Sequence, residues 1–238
     1  MNTQPIIKLL TASGIGSRRQ ITTAIKNGRV ALNGKTVESF LQPVNILVDR
    51  VTVDGKPIQT SPKPRIYLML NKPKGITSTT YDERDSTTVI DILPKKYQDA
   101  RLYPVGRLDK DSTGLILLTN DGQLTYRLTH PRFEREKEYL IKVEGTIKPD
   151  DKRKLEKGII LEEGPTHEAR VKAVNSPPFN YSITIHEGRK RQVRRMFASL
   201  GYQVLELKRI RLGSLQLNSL AEGQTRELTS AELKDLQR

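Results

Sequence analysis

The stretch GRLDKDSTGLILLTNDG, residues 106–122, carries Arg107, then Asp109, then a second aspartate, a glycine and a strongly apolar run. Leu115, Ile116, Leu117 and Leu118 have the length and content of a buried strand, and Asn120-Asp121-Gly122 behind them is a tight-turn signal. Asp109 is therefore expected on a loop anchored by core. Turns favour Asp and Gly for backbone reasons alone, so an ordinary solvated loop is the bland alternative. A calcium loop is a sharper one, because Asp109-Lys110-Asp111-Ser112-Thr113-Gly114 opens like an EF-hand. The far end of such a loop requires a bidentate glutamate where this chain has Asn120, and its fifth position holds Thr113, so no metal site is expected.

Composition narrows the partners. The chain has 238 residues, 35% of them hydrophobic, enough for one large domain or a large and a small one with a real core. A formal charge of +14 and a pI near 9.9 favour polyanions, nucleic acid first, because each Lys or Arg that meets a phosphate releases counterions. A membrane surface is the rival partner, but no basic amphipathic helix with an aromatic face occurs and no apolar stretch approaches ~18 residues. There is no cysteine, hence no disulfide framework and no thiolate metal site, and no leader peptide opens the sequence, so a cytoplasmic location is expected. His130, His167 and His186 are widely spaced and are read as ordinary surface or loop residues.

Two domains are expected, over 1–61 and 65–238, because Thr60-Ser61-Pro62-Lys63-Pro64 favours an extended connection. In the first, residues 5–13 and 18–27 have helical spacing, with Ser17 as an N-cap and Gly28 as a stop. Asn33-Gly34 and Asp54-Gly55 each follow a short strand pattern and can close hairpins. Residues 1–63 hold nine Lys or Arg against three acids. Arg18, Arg19, Lys26 and Arg29 fall on or just after the second helix, where they form either a solvated charged face or an RNA-binding one. SGIGSRRQ followed by IKNGRVALNG resembles the S4-like, or αL, RNA-binding fold, in which a helix pair and adjoining turn grip structured RNA.

The larger part reads as α+β. Strands are expected at 66–70, 115–118, 139–143, 168–174, 181–185 and 203–207, and helices at 87–93, 122–128, 149–157 and 190–200. Short connections between successive strands favour a largely antiparallel mixed sheet flanked by helices. Neither GxGxxG nor a P-loop occurs, so a nucleotide cofactor loses its usual signature. A second basic cluster, from His186 to Arg211, runs through a Gly-containing turn into a helix, where Arg191, Arg194 and Arg195 cannot all share one face with Val193 and Met196.

NKPKG (71–75), GRLDKDSTGLILLTNDG (106–122), KEYLIKV (137–143), EGRKRQVRRMF (187–197) and LKRIRLGSLQL (207–217) occur in the order seen in ribosomal RNA pseudouridine synthases of the RsuA/RluB type. With the S4-like domain the resemblance covers essentially the whole chain. THPR at 129–132 leans toward the large-subunit branch, that is, 23S rather than 16S RNA. What the resemblance implies is an isomerase that needs no cofactor and no metal: the ribose C1′ to uracil N1 bond breaks, the base turns, and a bond to C5 forms. Asp109 would be the nucleophile, attacking either ribose C1′ or uracil C6. Arg107 would help extrude the target nucleotide. Tyr139 would stack on the flipped base, and Arg194, ranked above Arg191, would pair with the aspartate. Lys72, Lys74, Arg107, Arg189, Lys190 and Arg191 are the RNA-binding cations expected in this part of the chain. Ribosomal RNA or a ribosomal subunit precursor is the implied partner, and the protein is expected to be a monomer.

Burial beneath a bound base would raise an aspartate pKa, and an adjacent arginine would lower it again, a chemical reason for an Asp-Arg pair. A non-catalytic RNA-binding relative and a metal-dependent nuclease are the alternatives. The first would be expected to lack at least Asp109. The second needs clustered ligands that the chain does not supply.

Overall fold

A computed structural model describes residues 3–58, 64–83 and 86–238 of the chain, which forms two compact units, Met1–Arg65 and Ile66–Arg238. The linker expected over Thr60–Pro64 lies, except for Pro64, outside the described residues.

In the first unit Thr3–Pro5 (β1) leads into helix Ile6–Ala12 (α1), followed by Arg18–Lys26 (α2). Helix α2 begins where the sequence predicts: the Gln20 N–H donates to Ser17 Oγ at 3.2 Å and the Ser17 N–H donates to Gln20 Oε1 at 2.8 Å. Such a reciprocal cap stabilises a helix start by about 1 kcal/mol. Strands Val30–Leu32 (β2), Lys35–Thr36 (β3), Pro43–Asn45 (β4), Val51–Val53 (β5) and Lys56–Pro57 (β6) complete it, in a sheet of order β3-β2-β5-β6 with β1 and β4 paired separately. Asn33-Gly34 and Asp54-Gly55 turn the two hairpins with positive φ at all four residues, as the tight primed turns require. Ile6, Leu9, Leu10, Ile21 and Ile25 bury against Val30, Val37, Val44 and Val51. The apolar periodicity of the two helices is thus spent on a small core, leaving their polar faces outward.

The second unit runs Tyr67–Lys72 (β7), Lys95–Gln98 (α3), Tyr103–Val105 (β8), Thr113–Thr119 (β9), Gly122–Thr129 (α4), Lys137–Val143 (β10), Pro149–Lys157 (α5), Ile160–Leu161 (β11), Gly164–Pro165 (β12), Arg170–Ser176 (β13), Phe179–Ile185 (β14), Gln192–Ala198 (α6), Val204–Leu212 (β15), Leu215–Gln216 (β16), Thr225–Glu227 (β17) and Ser230–Gln237 (α7). Its main sheet has the order β13-β14-β10-β15-β9-β7-β17, with β16 on β15 and β8 on β9. Every pairing is antiparallel except β15 with β9. Strand β9 is apolar from Leu115 to Leu118, as suits a strand buried on both faces. Ile116 and Leu118 join one core with Tyr139, Ile141, Val193, Met196 and Phe197, under α6. Leu115 and Leu117 join another with Leu124, Leu128 and Leu236, under α4 and α7.

The α+β class and the mixed, largely antiparallel sheet agree with the sequence. The helix expected at 87–93 does not form. The Thr88 N–H and Oγ1 both donate to Asp91 Oδ2 at 2.8 Å, diverting local groups into a turn, and Pro94 disfavours helical backbone at Leu93, so the helix starts only at Lys95. Strand β17 and helix α7 lie beyond the elements expected from the sequence, although Thr229-Ser230-Ala231-Glu232 is a capping-box pattern and both halves of the box form. Among the described residues no helix is long and apolar enough to cross a membrane.

Candidate active site

The Asp109 loop is braced from both sides. Leu108 is buried in the first core, and Ser78 clips its backbone: the Leu108 N–H donates to Ser78 Oγ at 3.1 Å while that hydroxyl donates to the Leu108 carbonyl at 2.8 Å. The Ser112 N–H closes a turn onto the Asp109 carbonyl at 3.0 Å, and the Gly75 N–H reaches the Lys110 carbonyl at 2.8 Å. The NKPKG segment therefore underlies the loop. Gly114 ends it at φ 103, opposite Arg209 of β15, where an added Cβ would sit 2.2 Å from the Arg209 carbonyl oxygen. Only glycine lets the two strands approach here.

Asp109 is half-buried, and among the described residues its carboxylate makes no hydrogen bond or ion pair. Its neighbour Asp111 takes the arginines. Arg191 donates to both Asp111 oxygens, at 3.1 and 3.0 Å, and Arg194 donates to the Asp111 carbonyl at 3.3 Å, with an ion pair to Oδ2 at 3.4 Å. The expected pairing of Arg194 with Asp109 is thus replaced by one with Asp111, because α6 starts beside the C-terminal half of the loop. Arg194 is the more constrained of the two: its side chain is 12% exposed against 44% for Arg191, and it also donates to the Val204 carbonyl at 2.6 Å. Burial pushes the Asp111 carboxyl up, but the hydrogen bonds from Arg191 and the charges of Arg194 and Arg191 outweigh it and hold the group below its ordinary range. A shallow recess of about 440 Å³ beside this pair is lined by Asp111, Arg191, Arg194, Tyr202, Val204 and Leu205; it does not take in Asp109 or Tyr139.

Tyr139 lies on β10 with its ring buried in the first core, opposite Ile183 on one side and Arg209 on the other. Strand β15 is thus the shared partner, pairing with Tyr139 through β10 and with Gly114 through β9. Arg209 is 2% exposed, and its Nε donates to the Leu115 carbonyl at 2.8 Å.

Two expected RNA-binding cations are corrected. Lys72 is fully buried, its Nζ donating to the Pro73 carbonyl at 2.9 Å, so it cannot meet an RNA backbone. Burial lowers its ammonium to about 8, and the charges of Asp111, Asp109 and Glu222 oppose that fall. It is a cation lodged under the loop. Arg189 directs Nε to Glu187 and its two terminal nitrogens to the Gly164 and Pro165 carbonyls, so its donors tie the β11–β12 turn to the start of α6. The other expected cations, Arg18, Arg19, Lys26, Arg29, Lys74, Arg107, Lys190 and Arg191, are exposed. Of these Arg29 is paired with Asp54 and Arg191 with Asp111.

No site role is expected from the sequence for Ser78, for Lys137, or for Arg209, a member of the second basic cluster; burial and the charge of Arg209 lower the Lys137 ammonium to about 8, against Glu187. Arg209 and Lys137 sit inside quoted motifs, but nothing local marks them as inward-facing. The histidines lie at the surface or in loops as expected, and the His167 and His186 rings come within 5.2 Å of each other, brought together by the β12–β14 region.

Known proteins resemble nearly the whole chain. The RNA pseudouridylate synthase family model matches residues 66–199, and the S4 domain model matches residues 4–39. Ribosomal large subunit pseudouridine synthase B of Bacillus subtilis (strain 168) is 40% identical over 233 residues, covering 96% of this chain and 93% of that protein. An uncharacterized RNA pseudouridine synthase of Aquifex aeolicus (strain VF5) is also 40% identical over 233 residues, with 97% and 92% covered. The crystal structure of a pseudouridylate synthase superposes with a TM-score of 0.70 at 33% identity, covering 98% of this chain and 99% of the other. With an S4 domain ahead of a pseudouridine synthase fold, the chain belongs to the RNA pseudouridine synthases.

Proposed function

We propose that this enzyme converts a uridine of ribosomal RNA, in the large subunit, to pseudouridine, with Asp109 as the nucleophile and residues 1–61 and 65–238 as its RNA-binding and catalytic domains. The observation that carries the proposal is the contrast within one loop. Asp111 is held by two arginines, whereas the Asp109 carboxylate, two residues away on a backbone clamped by Ser78 and Gly75, makes no hydrogen bond or ion pair among the described residues. A carboxylate held rigidly and left unspent is what covalent catalysis needs. The name of the Bacillus subtilis relative supports the choice of ribosomal substrate.

A uridine inside a stem must leave the stack before any side chain can reach it, and exposed Arg107 stands at the entrance of the loop to help extrude it or fill its place. Tyr139 supplies a ring for the flipped base and a hydroxyl for proton removal, and base stacking on such a ring is worth ~1–3 kcal/mol. Arg194 acts from the Asp111 backbone, placing positive charge beside the loop. The N1–C1′ bond breaks, the C5–C1′ bond forms, C5 loses a proton and N1 gains one, so the atoms balance without a cofactor. The protein works as a cytoplasmic monomer on ribosomal RNA or a subunit precursor.

Ribosomal RNA labelled with tritium at uridine C5 tests this. The wild type should release tritium, and Asp109→Asn should release it at least about 10³-fold more slowly. Wild-type protein that releases none from any ribosomal RNA or subunit precursor overturns the activity, and equal release by the variant overturns the role of Asp109.

A further inference from the structure

The catalytic loop has an aromatic neighbour that the reaction does not use. Helix α4 buries Leu124 and Leu128 and turns Tyr126 outward, 44% exposed. Beyond its end, the short helical turn Pro131–Phe133 brings two more rings to it: centroids are 4.7 Å apart for Tyr126 and His130 and 5.7 Å for Tyr126 and Phe133, the latter edge to face. Arg132 lies over the group, its Cζ 4.5 Å from the Phe133 centroid and 5.1 Å from that of Tyr126. The His130 Nδ1 accepts the Arg132 N–H at 3.3 Å, so the histidine fixes the turn that carries the arginine.

The position of this cluster is tied to the site. Thr129 Cγ2 sits 3.8 Å from where a Cβ on Gly106 would lie, against the residue that precedes Arg107. Its chain then continues into β10, which carries Tyr139. The local sequence is cationic, with Arg127, Arg132 and Arg135 and with Glu134 the one acid between Arg127 and Arg135; of these arginines Arg132 lies over the rings, while Arg127 donates to the Gln237 carbonyl at 3.2 Å.

An exposed tyrosine ring with an arginine guanidinium beside it suits a nucleobase and its phosphate, since every base has a π-face and each phosphate attracts arginine. A duplex opened to extrude one uridine also leaves its neighbours unstacked within reach of the loop. We infer that Tyr126, with Arg132 and Phe133 behind it, is a second nucleotide site that stacks an unpaired base flanking the target. The inference rests on the RNA-modifying function proposed above.

The test uses the full chain carrying Asp109→Asn, so that no turnover intervenes, and a single-stranded oligoribonucleotide containing 2-aminopurine, whose fluorescence stacking quenches. Binding should quench the probe. Adding Tyr126→Ala should weaken the quenching interaction roughly five- to hundredfold, while Tyr126→Phe, which keeps the ring, should stay within about twofold. In the active protein Tyr126→Ala should raise KM for ribosomal RNA with kcat unchanged. Unchanged binding and quenching in Tyr126→Ala, or an equal loss in Tyr126→Phe, overturns the stacking site. Because the binding arm is read on an inactive protein, it stands or falls separately from tritium release by the wild type.

Discussion

On helix α2, Arg18, Arg19 and Lys26 stand exposed and, among the described residues, form no ion pair; around the Asp109 loop, Lys72 is fully buried and Arg194 is held by Asp111 and a backbone carbonyl. The residue types are the same and the physics is opposite. An exposed cation in water contributes mainly through counterion release when a phosphate arrives, so its effect is additive and depends on salt. A desolvated cation carries a solvation cost that its partners must offset, and in return it has one position. The S4 domain therefore presents cations suited to attraction, and the catalytic domain cations suited to geometry.

The strongest way to break this comparison is Arg194→Ala against Arg191→Ala. Losing Arg194 strips the Val204 and Asp111 carbonyls of a donor, and should lower stability by about 1–3 kcal/mol and tritium release about 10²-fold. Losing Arg191, whose pair with Asp111 is 44% and 39% exposed, should cost about 0–1 kcal/mol. Thermal melting and initial rates compare the two, and a larger cost for Arg191 would undo the distinction. Next in size is the triple variant Arg18→Ala, Arg19→Ala, Lys26→Ala. It should reduce the slope of log affinity against log salt by up to about 2, leaving kcat and melting temperature unchanged, as measured by RNA binding across a salt series.

The smallest effect comes from an intermediate case, Glu232, which caps α7 and accepts from both terminal nitrogens of Arg226. Hydrogen bonds from Arg226, ahead of the opposing cost of burial, lower its carboxyl from 4.5 to about 2. A depressed carboxylate contributes stability that is full above its unfolded value and is lost as pH falls from about 4.5 to about 2. Glu232→Gln should lower the melting temperature at pH 7 by ~2–4 °C, for a loss of about 1 kcal/mol, and converge on the wild type near pH 2. A constant offset across that range would mean that the charge plays no part.

What could be read in advance was local. Ser17 and Gln20 cap α2 within one turn, Asn33-Gly34 and Asp54-Gly55 contain the backbone freedom their hairpins need, and the apolar run of β9 announces a strand covered on both faces. The failure at 87–93 was also local, a contest between apolar spacing and the Thr88-Asp91 turn ahead of Pro94. Misreadings at the site have a different origin. Lys72 follows a polar residue in a motif rich in lysine, and only the sheet that forms around β7 hides it.

By itself the sequence determined the class of fold, the basic N-terminal module and the aspartate loop, because capping, turn chemistry and periodicity act over a few residues. Tertiary structure alone decided which aspartate the arginines satisfy, which lysine is desolvated and why position 114 is glycine. Each of those depends on residues 80 to 95 positions apart, or on a sheet closing over a side chain, and pairings at that range are fixed by packing rather than by neighbours in the chain.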